Sequence, residues 1–243
     1  MKKIFFVMAL LFSMTVWAQD NGKSDFSVNA DFVSSYVWRG SFLSGTSIQP
    51  EMGLTLGNFR IGAWGSVDLG GWDYKEVDLF ANYSFGNFTV GLFNYWDVWE
   101  GVYDYFNLSK TTRHQLELNL SYTFENTPLT LGWNTIIAGD DKYTGINDAK
   151  EKRAYSTYIE ASYAFSVKDV NLELALGASP WKSSVMYNPL WDGGRTDGFA
   201  VVNTSLKASR DIKISDKYSL GIFGQFVVNP AKEDAFFVFG IRF

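Results

Sequence analysis

His114 is the one imidazole in the chain, and cysteine is absent. Serine-type hydrolysis needs a hydroxyl nucleophile within hydrogen-bond reach of an imidazole held by a third group. The residue two positions on, which shares a face with His114 in extended chain, is Leu116 rather than Ser. The lack of cysteine removes thiol catalysis, thiolate metal sites and disulfide frameworks together. No phosphate-binding Gly loop, His-Glu-x-x-His or dinucleotide fingerprint occurs. The sequence therefore predicts no enzyme and no cofactor or metal. What it does carry is charge placed with a period of two, as in Glu76-x-Asp78. Asp31, Glu51, Glu117, Glu160 and Glu173 continue the acidic set, with Arg39, Arg60 and Lys207 as the main bases. In a strand such positions fall on one face. If that face encloses water, its chemistry is electrostatic selection, with an acidic lining favouring cations over anions. The same groups could equally form an internal ion-pair network that fills the space and conducts nothing. Both readings stand at this stage.

The elements that must position these charges are strands. Lys2 and Lys3 precede an apolar run from Ile4 to Val16, and Val16-Trp17-Ala18 has short side chains at the two positions a signal peptidase inspects. Residues 1–18 read as a secretory signal peptide and 19–243 as one domain. The apolar run is too short for the roughly 20 residues of a spanning helix. The chain has 22 Gly, 5 Pro, 18% aromatic and 47% hydrophobic residues. A net charge of −5 argues against nucleic acid as a partner.

Alternation predicts about twelve strands, near 26–38, 48–56, 59–68, 76–85, 88–98, 113–124, 129–138, 155–165, 170–179, 200–210, 218–228 and 235–243. Short connections alternate with long ones. This sorting predicts an all-β fold, a single-chain antiparallel transmembrane β-barrel with short periplasmic turns and long extracellular loops. The final stretch shows the pattern well: Phe237, Phe239, Ile241 and Phe243 form one apolar face. Near the short turns, Phe26, Phe59, Tyr83, Phe85, Phe88, Tyr122, Phe124, Tyr163, Phe165, Tyr218 and Phe243 share parity with the apolar set of their strands. That is the arrangement of an interfacial aromatic girdle. Trp38, Trp96 and Tyr155 are expected in a second belt at the outer rim. Asn94 breaks the parity of its strand, which points to a bulge or a register shift there. On the opposite parity, Trp64, Phe80, Tyr158 and Phe223 point inward with the charges.

The segment Ser35-Tyr36-Val37-Trp38-Arg39-Gly40-Ser41, followed by Gly62-Ala63-Trp64-Gly65-Ser66 and Glu76-Val77-Asp78-Leu79, resembles the TorF-type porin family of Gram-negative outer-membrane proteins. The likeness is densest over 31–96. It implies a small-solute channel and names no substrate. Gln49 directly precedes Pro50 here, whereas the family places Pro a few residues before Gln. The terminal Phe243 resembles the signal read by the outer-membrane barrel-assembly machinery. The expected address is the cell outer membrane, with lipid, lipopolysaccharide and small solutes as partners. Arg39 is expected to pair with Glu51, Glu76 or Asp78, as a constriction or as a structural tie. Two outer loops complete the picture. Residues 99–112 are aromatic and acidic, suited to an interface belt, to narrowing the pore or to stacking on a saccharide. Asp140 and Asp141 sit in a charged loop, either solvated or bridged by divalent cations to lipopolysaccharide.

Overall fold

A computed structural model describes residues 24–98, 103–109, 111–143, 152–181, 183, 198–216 and 218–243. The predicted signal peptide lies outside them. Twelve antiparallel strands close into a barrel. They are β1 (Ser24–Val33), β2 (Ser47–Leu56), β3 (Phe59–Asp68), β4 (Lys75–Phe85), β5 (Phe88–Tyr95) and β6 (Gln115–Thr123). The circuit continues with β7 (Leu129–Gly139), β8 (Thr157–Val167), β9 (Val170–Ser179), β10 (Ala200–Ser215), β11 (Tyr218–Asn229) and β12 (Asp234–Arg242). Each strand pairs with its sequence neighbours, and β12 returns to β1. No helix occurs among the described residues.

Pairing fixes which residues face inward. In β6, Leu118, Leu120 and Tyr122 lie outward while Glu117 is buried inside. In β12, Phe237 and Phe239 are exposed outward and Val238 is buried, and Phe243 just past its end is exposed as well. The expected girdle is present at the short-turn end. Phe59 pairs with Tyr83 and Phe88 with Tyr122, while Phe85 and Phe88 bring their ring centres to 5.0 Å. Aromatic rings gather there because they cover apolar surface and tolerate a wet edge at once.

Several local expectations are corrected. The first strand stops at Val33, because Ser34-Ser35 interrupts the ladder and a separate hairpin, Tyr36–Trp38 with Ser41–Ser44, begins. Trp38 is consequently inside the barrel, 5.3 Å from the Tyr95 ring, and not in an outer belt. Trp96 is also buried, at 5% exposure, packed edge-on against Tyr105. Tyr155 alone of the three is exposed. Phe243 pairs with Ala30 through two backbone hydrogen bonds, so it stands well above Phe26 along β1. Strand β10 runs to Ser215, past the predicted end. The irregularity expected at Asn94 lies just beyond it. Strand β5 ends at Tyr95, and the two-residue strand Asp97–Val98 resumes pairing with Lys75 and Glu76. Pro50 sits within β2, where the ladder to β3 skips from Ile48 to Glu51. Proline has no N–H to donate, which accounts for the gap.

Closure of the barrel rests on a short seam. Only Asp31, Phe32 and Val33 of β1 register with β12, against ten register pairs between β1 and β2. The Arg242 guanidinium grips Asp31 at that seam, Nε to Oδ1 at 2.7 Å and Nη2 to Oδ2 at 2.6 Å. A bidentate fork adds orientation as well as energy. Its partial exposure limits the gain to about 1 kcal/mol. Asp31→Asn is expected to lower the unfolding free energy by about that amount in a urea titration. An unchanged midpoint would show that backbone pairing alone closes the seam.

Candidate functional site

The hairpin after β1 folds into the barrel instead of standing above it. Its two-residue turn is Arg39-Gly40, with φ of 49° and 78°. Two consecutive positive φ values make a type I′ turn, the form whose twist suits a tight hairpin. Gly40 is needed twice. It takes the positive φ without strain, and a Cβ there would lie 1.9 Å from the Val202 carbonyl oxygen on β10. The tip is thus pressed against the far wall. Asn229, at the end of β11, donates its Nδ2 to the Gly40 carbonyl at 3.0 Å. At the root, Tyr36 sits 5.5 Å from Trp64 on β3. The hairpin therefore crosses the interior at the long-loop end.

Arg39 is the unusual choice in this turn, since a non-glycine residue pays for positive φ. Its guanidinium explains the choice. Nη1 and Nη2 donate to Glu117 Oε1 and Oε2 at 2.7 and 2.9 Å. The same group lies 4.4 Å from the Trp38 ring centre and 4.6 Å from that of Tyr158. A desolvated guanidinium over aromatic faces gains on the order of 2 kcal/mol. Glu117 is wholly buried and also accepts from Tyr95 Oη at 2.8 Å and Asn119 Nδ2 at 3.2 Å. The predicted partners of Arg39 are thereby corrected: it reaches Glu117 on β6 rather than Glu51, Glu76 or Asp78.

The other predicted lining charges occupy separate places. Glu51 is paired by Arg60 on the adjacent strand. Glu160 accepts from the Tyr158 hydroxyl, and Asn203 donates to that hydroxyl at 3.0 Å. A Cβ at Gly177 would lie 2.0 Å from the same hydroxyl, so the ring uses the space glycine leaves. Lys207 faces Glu173 across the β9–β10 pair and stands 4.4 Å from the Phe223 ring centre. Glu76 and Asp78 are buried together on β4. Glu76 accepts from Tyr74 Oη at 2.7 Å, and Asp78 from the Trp96 amide at 3.4 Å. Tyr74 lies in the connection before β4, where burial and the neighbouring Glu76 push its phenol well above the ordinary range. It therefore stays protonated and keeps donating at neutral pH.

Two cavities lie beneath this hairpin. One, of about 310 Å³, opens toward the short-turn end and is lined by Asn82, Thr89, Asn119, Ser121 and Asn134, with Glu160 above them. The other, of about 240 Å³, lies directly under the hairpin and shares Phe93 with the first. Sequence reasoning missed the hairpin that separates them from the long-loop end. Its signal was present in the Ser34-Ser35 break and in Arg-Gly between two short apolar runs.

The remaining candidates have structural surroundings. His114 takes a hydrogen bond from Asn94 at Nδ1 (2.9 Å), and its Nε2 lies against the Tyr105 carbonyl. That contact also satisfies Asn94, whose parity points outward. Asp141 is buried, accepting from the Ser156 amide at 3.0 Å and from its hydroxyl, so it does not present a carboxylate for cation bridging. In the 99–112 loop, Tyr103 and Phe106 are exposed and Tyr105 packs on Trp96 and His114. Trp99 and Glu100 lie outside the described residues.

No family model matches the chain, and no curated protein does. The resemblance to TorF-type porins accordingly rests on the sequence motifs alone. Solved structures do align with it. One comes from work on the mechanism of in-meso crystallization of membrane proteins, at 8% identity and a TM-score of 0.41, covering 92% of this chain and 83% of that one. Another is the outer membrane protein OprD from Pseudomonas aeruginosa, at 15% identity and a TM-score of 0.37. This chain is covered over 91% of its length there and spans 64% of OprD.

Removing one member of a buried ion pair strands the other, at a cost of about 3–5 kcal/mol. Glu117→Gln is therefore expected to release the hairpin, seen as faster proteolysis at Arg39 in the folded barrel. Arg39→Asn keeps a residue that tolerates the turn and tests the charge alone. The double variant should be less damaging than the sum of the two singles. Additive effects would mean that the two side chains do not act as a pair.

Proposed function

We propose that this chain is an outer-membrane channel for small solutes, closed at its outer end by the hairpin between β1 and β2. The observation that carries the reading is a polar, cavity-bearing interior beneath an inward-folded hairpin fastened by one charge pair. The short-turn end faces the periplasm and the long connections face outward. The aromatic girdle then sits at the inner membrane–water boundary, and the exposed apolar faces of the strands meet lipid and lipopolysaccharide. Phe243 serves as the mark read by the barrel-assembly machinery. Passage is passive and needs the hairpin to swing away from Glu117. The acidic excess on the lining favours cationic and neutral solutes. Glu160, Glu173 and the Asp78–Glu76 pair set that field, because Glu117, Glu51 and Asp31 are each paired with an arginine. The reading assigns no catalysis to the chain. Both His114 nitrogens are engaged by Asn94 and Tyr105, which supports a structural imidazole.

A second reading has its own observation. Ile136, Tyr158, Ala200 and Val202 form a packed cluster at the long-loop end, with Trp38 against it. A barrel sealed this way conducts nothing and offers its outer loops, with exposed Tyr103 and Phe106, to a partner or surface glycan.

Planar-bilayer recording separates the two. The channel reading expects low, intermittent conductance from the native protein. It expects a several-fold larger, cation-selective conductance from Arg39→Asn. No current from either protein across repeated insertions would establish the sealed barrel instead.

A further inference from the structure

The cavity under the hairpin has an unusual lining. Of its eight lining residues, six are aromatic and two are carboxylates. Tyr36 and Trp38 come down from the hairpin as a roof. Trp64, Phe80, Phe93 and Tyr95 supply the walls from β3, β4 and β5. The rings form corners rather than one flat stack. Tyr36 meets Trp64 at 57° and Trp38 meets Tyr95 at 62°, while Phe80 and Phe93 stack at 21°. Glu51, Trp64 and Asp78 are direct register partners on three adjacent strands, so the carboxylates stand on either side of the indole.

The two acids differ in one respect. Glu51 has Arg60 as its counter-ion. Asp78 is buried, accepts one long bond from the Trp96 amide and shares a side-chain hydrogen bond with Glu76, and among the described residues no Lys, Arg or His forms an ion pair with it. Its neighbour Glu76 is a second buried acid, and a hydrogen bond between the two carboxyls requires a shared proton, so the pair together holds one negative charge without a basic partner. Arg39 is close by in sequence to the roof, yet it is committed to Glu117. A buried carboxylate without a cation is unstable relative to one that has it.

We propose that this cavity binds a compact organic cation of the ammonium class, a quaternary ammonium or a protonated small alkylamine. The ring faces attract the diffuse positive charge through their quadrupoles. The hydrogen-bonded pair of Asp78 and Glu76 supplies the formal counter-charge. A hard metal ion does not suit the site, since six rings cannot replace its oxygen ligands. A saccharide does not suit it either, because amide donors and acceptors line the neighbouring cavity and not this one. The proposal rests on the channel reading for the route by which the cation arrives, and names a solute class for that channel. Because two of the rings belong to the hairpin, the site is complete only while the hairpin is folded in.

The test is calorimetric titration of the full-length folded barrel in dodecyl maltoside, a detergent without a cationic headgroup. Choline is the probe, and 3,3-dimethylbutan-1-ol, its uncharged isostere, is the control. Saturable choline binding is expected, with none for the isostere. Asp78→Asn should weaken binding about 10- to 100-fold. Trp64→Leu should weaken it about 3- to 30-fold. Arg39→Asn, which frees the roof, should weaken it as well. No saturable choline binding, equal binding of the isostere, or unchanged affinity in Asp78→Asn would each overturn the site. If Asp78→Asn fails to fold by heat-modifiable gel migration, the isostere comparison on the native protein and Trp64→Leu decide. The channel reading fails separately. A barrel that conducts but binds no choline loses only this site, and one that binds choline but carries no current in any variant loses only the channel.

Discussion

A buried carboxylate must find a cation, and in this barrel the demand at Glu117 is met from 78 residues away in the chain. Among the described residues, the wall around Glu117 offers it the Tyr95 phenol and the Asn119 amide. The guanidinium comes from a segment that leaves the wall and crosses the lumen. The rest of the site follows from that crossing. The turn must be tight, so two residues take positive φ, and one of them is the arginine itself. The tip must lie flat on β10, so it carries glycine, and Asn229 satisfies the carbonyl that the contact buries. The aromatic rings of Trp38 and Tyr158 then enclose the guanidinium and lower the local dielectric, which strengthens the pair further.

The wall was legible in the sequence because its rule is local. Period two sorts Leu118 and Leu120 from Glu117 and Asn119 without knowledge of any partner strand, and short turns give the register. The ranges for β3 and β9 agree with the sequence reading residue for residue. The hairpin escaped because Tyr36-Val37-Trp38 keeps the alternation of the strand before it. Parity alone cannot distinguish a strand that continues upward from one that turns inward. Trp38 and Trp96 were misplaced for the same reason. A tryptophan near a strand end satisfies the rule for an interface belt and equally the rule for a lumen roof. The partner of Arg39 was beyond reach of any spacing rule, since ion pairs across a barrel depend on closure and not on sequence distance.

The pairing pattern also redistributes the electrostatics that composition suggests. Counting acids on the inward parity gives a broad negative lining. Pairing with Arg39, Arg60 and Arg242 removes Glu117, Glu51 and Asp31 from that sum as free charges. What remains is Glu160 on β8, Glu173 on β9 and, on β4 next to the ring-lined cavity, the hydrogen-bonded pair Glu76 and Asp78. The acidic lining is thereby reduced, and its β4 pair lies beside the cavity that the hairpin roofs. In the proposed channel, closure and solute recognition would share the side chains of this hairpin.

Hydrogen–deuterium exchange of the folded protein in its membrane reads the inward hairpin most directly. If Arg39 and Glu117 clamp it across the lumen, the amides of Val37, Trp38 and Phe42 exchange as slowly as those of the wall strands. Exchange at those amides as fast as at Tyr103 and Phe106 in the exposed loop would contradict a clamped hairpin.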